Sequence, residues 1–102
     1  MARIRTVKPE RPGQKWARDF EAGTWLYRIY SADDTLLYVG VTTNPVERLR
    51  SYAHKRGRKW WVSVDRITLL WFAENYEALA AERTVIKSER PVHNKRSANG
   101  PL

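Results

Sequence analysis

Two short runs rich in aromatic and β-branched residues, Trp25-Leu26-Tyr27-Arg28-Ile29-Tyr30 and Leu36-Leu37-Tyr38-Val39-Gly40-Val41, flank the polar stretch Ser31-Ala32-Asp33-Asp34-Thr35. This pattern predicts a β-hairpin whose turn suits Asp33 and Asp34. Arg66-Ile67-Thr68-Leu69-Leu70-Trp71-Phe72 reads as a third strand, too apolar for an exposed edge. Asn44-Pro45-Val46-Glu47 opens a helix, with Asn as cap and Pro at the first helical position. That helix should run to about Lys55 and stop before Gly57, burying Val46, Leu49 and Ala53. Arg48 and Tyr52, four residues apart, lie together beside the stripe. Trp60-Trp61-Val62 has no assignable period, and a second helix is predicted from Asn75 to about Glu89, ended by Pro91.

The second helix contains an anomaly. At 100° per residue, Leu79 and Ile86 fall on one side of its apolar arc, Ala78 and Val85 on the other, and Glu82 between them. A carboxylate aimed into a core needs a partner. That partner is either an arginine, giving a buried ion pair, or a hard cation such as Mg2+, which takes one or two carboxylates and keeps waters for phosphate. Glu74, Glu77 and Glu89 fit solvated positions on the helix surface or at its ends.

Composition narrows the chemistry. The chain has 102 residues, one domain by size, and 42% hydrophobic residues, enough for a core. It has no Cys, so disulfides, thiol catalysis and thiolate zinc sites are excluded. With only His54 and His93, a multi-histidine metal site is excluded too. No apolar run reaches the ~20 residues of a membrane helix, and no signal peptide is recognisable, so a cytoplasmic setting is expected. The net charge of +8 favours a polyanionic partner, because neutralising phosphates releases condensed counterions. Arg48, Arg50, Lys55, Arg56, Arg58 and Lys59 follow one another with no acidic residue among them. A solvated helix face and loop is the plain alternative for this run; nucleic-acid binding is the reading preferred here, with Arg50, Lys55, Arg56, Arg58 and Lys59 as contacts.

Three regions are expected: a basic arm over 1–22 with a helical turn near Trp16 to Phe20, a folded body over 23–95 and a tail over 96–102. Trp25, Trp60, Trp61 and Trp71 are expected in the core rather than stacked on bases, and Tyr27, alternating away from Tyr30, is expected there too.

Taken together, the residues resemble the GIY-YIG nuclease family. Arg28-Ile29-Tyr30 is similar to the GIY motif and Tyr38-Val39-Gly40 to the YIG motif. Arg48 matches the family's helix arginine, Tyr52 the His or Tyr four residues on, and Glu82 the metal-binding glutamate. Pro91-Val92-His93-Asn94 resembles the terminal proline-to-asparagine motif, so the likeness runs from about Thr24 to Asn94. Two departures stand out. Arg28 replaces the first glycine of GIY, and Val41 stands where some members carry a lysine.

The resemblance implies an α/β domain with a small antiparallel sheet of about three strands flanked by helices. It implies Mg2+-dependent hydrolysis of DNA phosphodiesters, with Mn2+ as a substitute cation. Glu82 would hold the metal and Arg48 would neutralise charge on the phosphate. Tyr30 and Tyr38 would position or deprotonate water, Tyr52 (with His54 second to it) would orient a phenol or the phosphate, Gly40 would leave room at the strand end, and Asn94 would brace the site. His93 is expected to serve local hydrogen bonding. No recognition domain fits in the chain, so cleavage directed by DNA structure or by a targeting protein is expected. The alternatives are a catalytically weak or inactive binding module of the same fold, and an unrelated basic architectural or RNA-binding protein.

Overall fold

A computed structural model of the chain describes residues 4–9, 20–54 and 59–94, and the side chains of 52–54 and 59 are outside that description. Four strands, β1 (Ile4–Val7), β2 (Thr24–Ser31), β3 (Leu36–Thr42) and β4 (Val64–Phe72), form one antiparallel sheet in the order β1-β4-β2-β3. Helix α1 (Pro45–His54) and helix α2 (Asn75–Glu89) complete the α/β fold, and Lys59–Ser63 form a short 3-10 helix.

The sheet buries both faces. On one, Trp25, Tyr27, Ile29, Ile67 and Leu69 pack with Leu49 of α1 and Trp61 of the 3-10 helix. On the other, Leu26 and Val39 pack with Val85 and Ile86 of α2. Strands covered on both sides carry apolar residues on both faces, which is why β2 and β4 lack a clean polar alternation.

Local sequence sets the boundaries. The Asn44 side chain accepts the Glu47 N–H at 3.3 Å, capping α1 ahead of Pro45. Gly23 enters β2 with φ of 136°, a conformation side chains resist, and it lies against the Trp71 indole. In the β2–β3 turn, Asp33 bonds Ser31 and accepts the Thr35 N–H, which holds its carboxyl below the usual range.

The sheet has one strand more than the about three expected, and it comes from the segment read as a basic arm. Ile4–Val7 pair with β4, Ile4 opposite Leu70 and Val7 opposite Ile67. Four residues are too few to reveal a period, and their stability comes from a partner strand 60 or more positions away in the chain. The helical turn expected near Trp16 lies outside the described residues. Trp25 and Trp61 are core residues, while Trp60 and Trp71 are partly buried.

The outer edge of β3 is closed by residues 91–94. The Val92 and His93 N–H groups donate to the Leu36 and Leu37 carbonyls at 3.1 and 2.9 Å. Buried Asn94 completes the strip with two side-chain bonds to one residue: its Oδ1 accepts the Val39 N–H at 2.8 Å and its Nδ2 donates to the Val39 carbonyl at 2.9 Å. An amide side chain thus does what a neighbouring strand would do. Asn94→Ala leaves both Val39 groups unpaired in a buried place and should cost about 1–3 kcal/mol of folding stability, read by chemical denaturation.

Candidate active site

The hairpin register assembles the first part of the site. Tyr27 stands opposite Gly40 in the β2–β3 ladder, and a Cβ built on Gly40 would lie 2.5 Å from Tyr27 Cζ. Only glycine lets the Tyr27 phenol rest over the β3 backbone here. The Tyr27 and Tyr38 rings are stacked, with centroids 6.3 Å apart and planes at 25°. Tyr27 is 1% exposed, whereas Tyr38 is half-buried and reaches the boundary with solvent. Trp60 lies nearly parallel to Tyr38 at 5.9 Å and to His93 at 4.8 Å.

Tyr38 shares its side of the sheet with Tyr27 and not with Tyr30, the companion expected from the sequence, while Tyr27 is a core residue as expected. Ile29 is opposite Tyr38 while Tyr30 is opposite Leu36, so Leu37 is an extra residue in β3. A one-residue bulge changes which side chains share a face. Counted from the turn without a bulge, Tyr30 and Tyr38 fall on the same side. With it, Tyr38 joins Ile29 and Tyr27. Tyr30 instead alternates with Leu26 and Arg28 toward the α2 face, where the Arg66 guanidinium lies 4.3 Å above its ring. Arg28, read as the replaced motif glycine, is structural: its guanidinium forms a two-pronged pair with Glu89 of α2 at 3.1 Å for each contact.

Arg48 is exposed on α1, one residue from buried Leu49 of the Tyr27 cluster. The Tyr52 side chain lies outside the described residues, as do Lys55, Arg56 and Arg58 and the side chains of His54 and Lys59. Arg50 is half-buried on α1. Val41 packs in the cluster beneath α2.

Glu82 is carried by α2, one turn before Ile86, on the other face of the sheet from α1. It is half-buried rather than central to a wholly apolar arc, because Leu79 is 38% exposed and the packed residues are Ala78, Val85 and Ile86. Among the described residues it has no hydrogen bond or ion pair, so the arginine partner weighed from sequence is not there. Desolvation pushes its carboxyl above the ordinary carboxylate range, partly offset by the charge of Arg83. A lone, partly dehydrated oxygen donor suits a hard cation. Among the described residues no three His, Asp or Glu side chains gather, so a metal would rest on this carboxylate with water or phosphate as further ligands.

Sequence reasoning did not foresee that the rings of Tyr27, Trp60 and His93 gather around Tyr38. Gly40 was the available signal for Tyr27, since a glycine inside a strand marks close approach by a cross-strand neighbour. Trp60 and His93, 33 positions apart, carried no local signal.

Residues 23–97 match the family model of the GIY-YIG catalytic domain. The chain is also similar to UvrABC system protein C from Pseudomonas syringae pv. tomato, 42% identical over 74 residues, covering 68% of this chain and 12% of that protein. The homonymous proteins of Geobacter sp. (34% identical, 79% of this chain, 13% of that protein) and Borrelia duttonii (30%, 78% and 14%) match similarly. The chain therefore spans only about an eighth of the length of these curated relatives. The match to the domain covers nearly the whole sheet and both helices, and the chain belongs to the GIY-YIG catalytic domain family.

Proposed function

We propose that this domain is a divalent-metal-dependent endonuclease that hydrolyses DNA phosphodiester bonds, directed by DNA structure or by a partner protein. The observation that carries the reading is the Tyr27–Tyr38 phenol pair held over Gly40, on the strand that Asn94 pins. In this reading Tyr27, not Tyr30, is the GIY-type tyrosine.

The residues divide the work by exposure. Tyr38 meets solvent and orients the attacking water, whose oxygen bonds to phosphorus as the bond to the 3′ oxygen breaks, leaving 5′-phosphate and 3′-hydroxyl ends. Tyr27, sealed beneath, fixes the Tyr38 ring and the β3 backbone. Arg48, long and exposed, neutralises charge gathering on the non-bridging oxygens. Glu82, carried on the α2 side of the sheet and not among the groups the hairpin brings together, would hold the cation, Mg2+ or in its place Mn2+. When bound, that ion polarises the phosphate and stabilises the leaving oxygen. The net charge of +8 supports a phosphate-rich substrate.

Three measurements test this. In plasmid and oligonucleotide cleavage with Mg2+, Tyr27→Phe should slow turnover roughly 10-fold or more, while Tyr30→Phe stays within about twofold of wild type. The opposite order would return Tyr30 to the site. Arg48→Ala should lower kcat by roughly 10²-fold or more with an unchanged unfolding midpoint, since the side chain is exposed.

Glu82→Gln should abolish metal-dependent cleavage and alter the pH dependence of stability. The Glu82 carboxyl is raised in the folded state, so its charge opposes folding above that value, and the penalty disappears as pH falls below the unfolded value. Metal-free Glu82→Gln should therefore melt at or above wild type near neutral pH, with the difference shrinking in acid. Mg2+ should raise the wild-type melting temperature and leave the variant unmoved. Wild-type cleavage by Glu82→Gln would remove the carboxylate from the site.

A further inference from the structure

We propose that Trp60 and His93 form a stacking platform for an unpaired nucleobase of the substrate strand beside Tyr38. The inference rests on the nuclease reading only for its placement next to the reacting phosphate.

Four observations converge. The His93 imidazole lies on the Trp60 indole at 4.8 Å and 11°, and the same indole lies at 5.9 Å and 20° from Tyr38. The aromatic surface thus continues outward from the phenol assigned to water. His93 is exposed and Trp60 half-buried, and Val62 on the same 3-10 helix is 82% exposed, giving an apolar margin. The platform is held in place: the His93 N–H donates to the Leu37 carbonyl, and neighbouring Asn94 is bound twice to Val39. Finally, the sequence just before Trp60 contains Lys55, Arg56, Arg58 and Lys59, a composition that favours a nucleic-acid partner.

The chemistry selects the ligand. A base inside a duplex has both faces covered by its neighbours, so an external ring gains a base only where a strand is single, frayed, flapped or nicked. Stacking of this kind tolerates any base, because each has a π-face. The platform would give the domain a preference for unpaired nucleotides without sequence readout.

The test uses the full chain in EDTA, where no cleavage intervenes, and reads fluorescence anisotropy. The probes are a labelled oligothymidylate of about 12 nucleotides, an abasic backbone of the same length and a duplex. Wild type should bind the thymidylate roughly 5- to 100-fold more tightly than the abasic strand. His93→Ala should remove most of that ratio while leaving abasic and duplex binding within about twofold, and His93→Phe should restore it. The side chain is exposed, and an unfolding midpoint matching wild type checks that His93→Ala keeps the fold. An unchanged ratio in His93→Ala, or no preference in wild type, overturns the platform even if the protein cuts DNA. Base-dependent binding by a protein that cuts no DNA with Mg2+ sustains the platform and instead defeats the nuclease reading.

Discussion

The ladder between β2 and β3 slips by one residue between Ile29 and Tyr30, and the rest of the site follows from that slip. Side chains in a strand alternate with a period of two, so a single added residue sends everything beyond it to the other face. Leu37 is the added residue. Because of it, Tyr38 faces the α1 side with Tyr27 rather than the α2 side with Tyr30. Gly40 makes the arrangement possible by giving up its own side-chain volume to the Tyr27 phenol. The pairing is backbone geometry first and side-chain chemistry second.

Around this hairpin the fold supplies support from three directions. Helix α1 covers one face through Leu49 and presents Arg48 to solvent, while α2 covers the other through Val85 and Ile86 and carries Glu82. The strip from Pro91 to Asn94 closes the edge of β3. The aromatic pair thus sits on a hairpin whose outer edge is tied at Leu36, Leu37 and Val39. Such support holds functional groups with little freedom to lose on binding.

Much of this was legible in the sequence. The hairpin, both helices and the central strand are local patterns, and the Asn44–Pro45 start and the Pro91 stop mark helix ends that the structure places at Pro45 and Glu89. Glu82 stood out because a carboxylate breaks an apolar face, although its setting is half-buried. Two kinds of information were not legible. The bulge at Leu37 reverses the facing of Tyr30, and no residue type announces it. Strand β1, the Trp60–His93 contact and the grip of Asn94 on Val39 all join segments far apart in the chain, where periodicity is silent.

The clamp on Val39 has a bearing on the order of synthesis. Asn94 lies 55 positions after the residue it holds, so strand β3 and both tyrosines emerge from the ribosome well before the amide that secures them. A partly made chain carries the phenols, Arg48 and even Glu82 while the outer edge of β3 still lacks its cover. Secure placement of Tyr38 arrives only with the last segment of the domain. Assembly of the β3 edge would then wait on the strip that follows α2, however early its two tyrosines are made.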